Sequence, residues 1–398
     1  MQVFSQYRGL SKQIYILSIC RALVSMGIMF LFPYLTFILT DVQGLTPTTA
    51  SLIISLCSAG SMAGNFIGGH FSDKIGRRKT FIAGVSVLAV AMLVTAAFCF
   101  SHIFIVFLLI LYIANNIVLP SVSTMILDCS SKDNETSCYS LMYLAGNLGC
   151  AVGPMIGSLL YNTNLRLLFV LMSITYIILL IIAVTSIHET GNRAQIVATD
   201  TSVHTSASTW AVVRGQKGLL LFLVLLSLLT LCYINLDFAL PIRLRDLFGT
   251  DTGSAINSFV WTLNGIMVIV ITPFATTFMK HFRPHINASI GAFLYFIGFG
   301  LYAFVGHPEL FLLVVPVWTA GEIILSTSSA ILISDSCPDT HKGRAMALYE
   351  LARNAGKLIG PLSAGLLLLF VESNYVWMII ASTCLAVSLL LRRMGNIK

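Results

Sequence analysis

The sequence predicts an all-α membrane protein of twelve transmembrane helices in two six-helix bundles. Three observations carry that expectation: a shortage of charge, twelve apolar runs of membrane-crossing length, and landmarks that recur at one offset between the two halves. The 398 residues include 23 Lys or Arg and 16 Asp or Glu, so charged residues make up 10% of the chain, against roughly 25% in soluble domains. Hydrophobic residues reach 57% and the mean hydropathy is +0.89, which is more apolar surface than a globule of this length can hide from water. An ordinary soluble enzyme is excluded, and lipid is the expected solvent.

A helical crossing needs about 20 apolar residues. Apolar runs between polar breaks place spans at 14–40, 49–71, 80–100, 104–127, 138–160, 168–187, 218–240, 254–278, 286–305, 310–334, 345–370 and 375–391. The first run follows a polar stretch at 1–12 and has no small-residue cleavage site, so it reads as a retained span rather than a signal peptide. With the N-terminus inside, 17 of the 23 Lys and Arg fall on cytoplasmic segments, while Arg166, Arg243 and Arg245 fall outside and Arg21, Arg353 and Lys357 lie within spans. The positive-inside bias then puts both termini in the cytoplasm. The net charge of +7 follows from this asymmetry, and no basic-aromatic surface for nucleic acid is visible.

Between spans six and seven lies the longest polar interruption, rich in Ser, Thr and Ala, which reads as a cytoplasmic linker over 188–217. It separates an N-terminal bundle, 1–187, from a C-terminal bundle, 218–398. The halves match each other: Leu240-Pro241-Ile242 repeats Phe32-Pro33-Tyr34, Asp335 repeats Asp128, and Gly360-Pro361 repeats Gly153-Pro154, at offsets of 208, 207 and 207. Two related halves of equal topology put a substrate path between them near the midplane.

The segment between spans two and three is Gly69-His70-Phe71-Ser72-Asp73-Lys74-Ile75-Gly76-Arg77-Arg78-Lys79. Its glycines permit a sharp turn and close helix approach. Asp73 at a helix end can meet an Arg or the positive end of a neighbouring helix. Such a latch can hold one conformation of a rocking protein and break in the other; the plainer alternative is that the basic cluster only sets topology.

This Gly-x-x-x-Asp-Lys-x-Gly-Arg-Arg-Lys pattern resembles the signature loop of the major facilitator superfamily, and the likeness extends over all twelve spans. The resemblance implies that superfamily's fold and secondary transport, with a charge cluster of Asp73, Arg77 and Asp128 latching the cytoplasmic side together with Gly69 and Gly76. The corresponding C-terminal loop, 279–283, lacks the acid. In span five, Gly149-x-x-x-Gly153-Pro154-x-x-Gly157 is similar to the antiporter motif of drug:proton exporters in the same superfamily and tilts the expectation from import to export. As a stripe of small residues it also reads as a helix-packing face.

Six charges sit within spans: Arg21, Asp237, Glu322, Glu350, Arg353 and Lys357. Each costs at least about 2.5–3.5 kcal/mol if ionised and unpaired at the bilayer centre. Glu322 lies twelve residues into its span, about 18 Å along the helix axis and close to the midplane, where low dielectric favours the neutral form. The segments around Glu322, Asp237 and Asp128 look like those of LmrP-type multidrug transporters, which by resemblance nominates Glu322 and Asp237 for proton coupling. The alternative is a buried ion pair with Lys357 or Arg21. Span four has Leu109, Ile110, Asn115 and Asn116 where many such antiporters carry a buried Arg, and span five has Met142 where LmrP-type proteins have another acid. Arg21 could replace that cation or reach to the inner headgroups.

Glu350, Arg353 and Lys357 recur at i, i+3 and i+7 on one helical face. Glu350 and Arg353 can pair, leaving Lys357 either to neutralise Glu322 or to meet an anionic substrate. Tyr34, Trp261, Asn264, Trp318 and Tyr349 complete an expected amphipathic substrate site. The nine cysteines are scattered without CxxC spacing, and no Walker A, HExxH or GxSxG pattern occurs. The expectation is a monomeric proton-coupled exporter of amphipathic small molecules in the bacterial inner membrane, without cofactor, metal or nucleic-acid partner. The alternative is export of an anionic amphiphile such as a siderophore-like metabolite or a lipid-linked glycan.

Overall fold

The computed structural model describes residues 7, 9–131, 134–190, 217–335 and 342–394. Most of the expected linker, 191–216, and Cys337 lie outside them. Twelve long helices run through the described residues: α1 (Lys12–Met29), α2 (Pro47–Ile75), α3 (Arg77–Phe98), α4 (Phe104–Asp128), α5 (Glu135–Tyr161), α6 (Leu165–Ser186), α7 (Lys217–Tyr233), α8 (Ala239–Met279), α9 (Pro284–Phe304), α10 (Pro308–Asp335), α11 (Lys342–Leu367) and α12 (Ser373–Arg393). Ten stretches are long and apolar enough to cross a membrane. One of them, Gly218–Met279, is 62 residues long and contains two crossings. Helix α11 is the exception because Glu350, Arg353 and Lys357 load its middle with charge. Phe66, Leu159, Phe274, Phe304 and Phe370 are each 70% or more exposed, as suits a surface solvated by lipid.

Two element boundaries depart from the sequence reading. The first span is not one helix: α1 stops at Met29, and a 3₁₀ turn at Phe32–Tyr34, a helical turn at Leu35–Phe37 and a π turn at Ile38–Val42 carry the chain onward. Pro33, which lacks an amide hydrogen, sits in this break. The expected loop over 241–253 shrinks to a turn at Gly249, with helix on either side of it. The chain breaks earlier, in the 3₁₀ turn Ile234–Leu236, and turns again at Gly249 inside α8 (φ 76°, ψ 173°), a conformation open to glycine. Charged residues at 243, 245, 246 and 251 flank that turn, where two helices meet across Gly249.

The chain divides into two compact units, residues 1–44 with 56–200, and residues 45–55 with 201–398. In the first unit α5 packs on α1 through its glycines. A Cβ on Gly149 would overlap the Ala22 carbonyl oxygen, one on Gly153 would lie 2.6 Å from Met29 Cβ, and one on Gly157 would lie 2.6 Å from the Phe30 carbonyl oxygen. In the second unit α11 packs on α7 in the same way: a Cβ on Gly356 would overlap the Ser227 carbonyl oxygen, and one on Gly360 would lie 2.9 Å from that of Leu231. These two glycines stand 207 residues after Gly149 and Gly153, so the duplication seen in sequence extends to the helix seams.

Candidate functional site

Helix α10 places Glu322 at its midpoint, fourteen residues before Asp335 at its end counting inclusively. Two contacts fix that position. Ile323 and Ile324 pack with Val268, Ala275 and Met279 of α8. Gly321, one residue before the acid, lets α10 approach α9 so closely that a Cβ there would lie 2.8 Å from the Gly291 carbonyl oxygen. Glu322 thereby faces Asn264 of α8, whose Nδ2 donates to Glu322 Oε2 at 3.0 Å and to Thr319 Oγ1 at 3.1 Å. Tyr233 at the end of α7 lines the same cavity as the Glu322 carboxyl. Among the described residues Glu322 forms no ion pair, so neither Lys357 nor Arg21 neutralises it.

A cavity of about 100 Å³ opens beside this carboxyl, lined by Tyr233, Tyr295, Glu322, Tyr349, Arg353 and Lys357 among others. Tyr233 stacks on Tyr295 with centroids 5.8 Å apart and meets Trp318 edge-on at 6.2 Å, while Trp261 meets Trp318 at 6.4 Å. Arg353 Nη1 reaches Glu350 Oε1 at 3.4 Å, with both side chains substantially exposed (36% and 54%), so that pair is worth little. The Arg353 guanidinium also lies 5.5 Å from the Tyr349 ring centroid. Lys357 makes no hydrogen bond or ion pair with a described residue; at longer range it feels Glu350, Asp237 and Arg353. Asp237 is buried at the break between α7 and α8.

The aromatic candidates divide by role. Trp318 is fully buried, and its indole Nε1 donates to the Tyr302 hydroxyl at 2.9 Å, so its polar end is already used. Trp261 is buried beside it. Tyr34 belongs to the first unit, where its hydroxyl donates to the Pro154 carbonyl at 2.8 Å and its ring stacks on Tyr161 at 4.8 Å. Arg21 lies on α1 against Gly146, its Nε 3.2 Å from where a Cβ would stand. Pro154 is accommodated inside α5, as prolines are in membrane helices.

The segment joining α2 to α3 shrinks to one residue, Gly76, with φ 101°. Arg77 Nε lies 2.9 Å from Asp128 Oδ2 at the end of α4, both side chains buried (3% and 6% exposed). The Nε–H is off line for a hydrogen bond, so this contact is charge attraction. Asp73 on the last turn of α2 is exposed and bonds to no described residue. Gly69 faces open space, and the close approach expected of it is made by Gly68, whose Cβ would lie 2.8 Å from Ile117 Cα on α4.

Two residues unforeseen from sequence complete this cluster. The Thr190 hydroxyl donates to Asp128 Oδ2 at 2.8 Å. The Glu189 carboxylate accepts from the Arg78 amide at 3.2 Å and lies against Gly76, where a Cβ would be 2.9 Å from Oε2. Helix α3 has no acidic residue in its first turn and no side-chain cap of its own. Glu189 therefore supplies the negative charge its N-terminus favours, from 111 residues away. An acid directly after the sixth span was the available signal. For the second bundle, carrying Gly149 forward by 207 residues would have found Gly356.

A multi-pass helical bundle that encloses ionisable and aromatic side chains around an internal cavity is the build of a solute transporter. The family model described as Major Facilitator Superfamily matches residues 17–361 and 289–395, and the chain belongs to that superfamily. It is similar to the uncharacterized MFS-type transporter YttB of Bacillus subtilis, 24% identical over 346 residues, covering 86% of this chain and 84% of that one. It is also similar to a Na(+), Li(+), K(+)/H(+) antiporter of Planococcus maritimus, 20% identical over 357 residues, covering 83% and 84%. The quinolone resistance protein NorA of Staphylococcus aureus is 27% identical over 183 residues, covering 45% and 46%. Among solved structures, the peptide transporter POT in complex with sulfate superposes with a TM-score of 0.81 at 17% identity, covering 98% and 96%. A mutant of the nucleoside transporter NupG superposes at 0.81 and 14%, covering 96% and 100%. The chain is a transporter of this superfamily, and its fold is theirs.

Proposed function

We propose that this transporter exports amphipathic small molecules in exchange for protons by alternating access, with Glu322 as the principal proton-coupling group and Asp237 as the second. One observation carries the reading: a carboxyl at the middle of a membrane helix whose hydrogen-bond partner, Asn264, is neutral and which forms no ion pair among the described residues. Such a group can take up and release a proton without breaking an ion pair. An antiporter and a drug-resistance protein among the relatives support exchange and export.

Residues 1–187 and 218–398 serve as the two rocking halves, joined by 188–217. Arg77 and Asp128 latch one state beside the turn at Gly76; Asp73 and Gly69, exposed on α2, take no part in that contact and join the latch in the other state. Gly149, Gly153, Pro154 and Gly157 supply the α1–α5 seam about which the first half moves as one body. The protein works as a monomer in the bacterial inner membrane with both termini cytoplasmic.

The test is substrate movement in inverted proteoliposomes with an imposed pH gradient. Glu322→Gln abolishes gradient-driven movement; full activity in that variant overturns the coupling role. The pairing-free Lys357 beside Arg353 favours a second reading, export of an anionic amphiphile. Loss of one native anionic metabolite from the medium of a deletion strain, with drug tolerance unchanged, selects it.

A further inference from the structure

We propose that the cavity beside Glu322 recognises dipolar amphiphiles, an apolar or aryl body bearing both an amine and a carboxylate. The amine meets Glu322, and the carboxylate meets Arg353 and Lys357. This assignment rests on the reading of that cavity as a substrate site. Three charged side chains converge on it, one acid from α10 and two bases four residues apart on one face of α11. None of the three is held by a tight ion pair among the described residues: Glu322 accepts from the neutral Asn264, Arg353 has a loose exposed pair at 3.4 Å, and Lys357 has no bonded partner among them.

A ligand carrying only a positive charge would bring it beside two cations, and a ligand carrying only a negative charge would bring it beside the carboxyl. A dipolar head group satisfies both signs at once, and it exploits the planar fork that makes Arg a carboxylate binder. The volume fits this division. About 100 Å³ accommodates a head group, whereas drug-sized ligands occupy pockets of about 300–1,000 Å³. The rings of Tyr233, Tyr295 and Tyr349 and the side chains of Leu226, Leu229 and Leu325 line the same space and give apolar contact to the part of the body next to the head group, the rest extending beyond it.

Three probes with one aromatic body separate the charges: 2-naphthylalanine (dipolar), its methyl ester (cationic) and its N-acetyl derivative (anionic). Equilibrium binding to the purified full chain in phosphatidylcholine nanodiscs, without a pH gradient, reads the site alone. The dipolar probe binds at least about tenfold tighter than either relative, the ratio expected when one charged hydrogen-bond partner is missing. Lys357→Gln weakens the dipolar and anionic probes by about tenfold and spares the ester, while Lys357→Arg restores both. Glu322→Gln weakens the dipolar probe and the ester and spares the N-acetyl compound.

Equal binding of ester and dipolar probe in the unaltered protein, no binding of any probe, or parallel weakening of all three by Lys357→Gln overturns the assignment; the last result marks a general disturbance of the bundle. The same probes under an imposed gradient keep the two readings apart. Preserved charge selectivity with no gradient-driven movement refutes proton coupling and leaves the dipolar site. Gradient-driven movement of the ester alone does the reverse.

Discussion

Removing Asp128 strips the buried Arg77 of its counter-ion, and the geometry sets how much that costs. Both side chains are nearly shielded from solvent, at 3% and 6% exposure, and lie 2.9 Å apart. Breaking a buried pair by deleting one partner costs about 3–5 kcal/mol; the off-line Nε–H argues for the lower end, about 3 kcal/mol. Asp128→Ala and Arg77→Ala should each lose about that much, which is a fall of roughly 6–12 °C in unfolding temperature for a body of this half's size. Thr190→Val removes one hydrogen bond to the same carboxylate and should cost about 1.5 kcal/mol. The decisive assay is a double-mutant cycle on detergent-solubilised protein. Because each single change forfeits the same pair, Arg77→Ala with Asp128→Ala should fall short of the sum by at least about 1.5 kcal/mol. Additivity within about 0.5 kcal/mol would refute the pair as an energetic unit.

Glu189→Ala uncaps α3 and should cost about 1 kcal/mol, seen as roughly fivefold faster amide exchange over residues 77–80; unchanged protection there sinks the capping assignment. Gly149→Val and Gly356→Val drive a branched side chain into the backbone of α1 or α7 and should each cost about 1–3 kcal/mol. Gly69→Val, facing open space, should stay within about 0.5 kcal/mol, and a similar loss at all three positions would contradict the seam geometry. In Glu322→Gln, exchange of substrates without an amine should persist in the absence of a gradient while gradient-driven accumulation stops. Asn264→Leu removes the hydrogen bond that the carboxyl accepts and should slow accumulation without abolishing it, because the titrating group itself stays.

Much of this architecture was legible because lipid simplifies sequence. Long apolar runs have few alternative structures in a membrane, and the 207-residue offset exposed the duplication before any coordinate. Charge was a weaker guide to helix ends. Arg243, Arg245 and Asp246 read as a loop, yet they are helical and the turn falls three residues later, at Gly249, where glycine permits a positive φ. The break between α1 and the π turn at Ile38–Val42 was hidden because an irregular turn inside apolar surroundings leaves the composition unchanged.

The same contrast runs through the site. Glu322 stood out as a lone acid in an apolar run, and Asn264 was nominated with it. Tyr233 and Tyr295 were missed because tyrosine is ordinary in such helices; only geometry reveals that both line the cavity beside the carboxyl. Trp318 looked like a binding residue but spends its N–H on Tyr302. Gly69 and Gly68 are indistinguishable in a pattern, and helix phase decides which one meets α4. Glu189 and Thr190 act across more than 60 residues of chain, a distance at which local spacing carries no information.

The remote cap on α3 bears on how the protein is made. At about 5–20 residues per second, synthesis takes roughly 5–20 s to travel from Arg78 to Glu189. Throughout that interval the start of α3 lies bare beside a cluster of four basic residues, Lys74, Arg77, Arg78 and Lys79. The residues that bind the cluster arrive in turn, Asp128 coming 51 residues after Arg77 and Glu189 coming 111 residues after Arg78. Closure of the turn by Glu189 and Thr190 then marks completion of the first half.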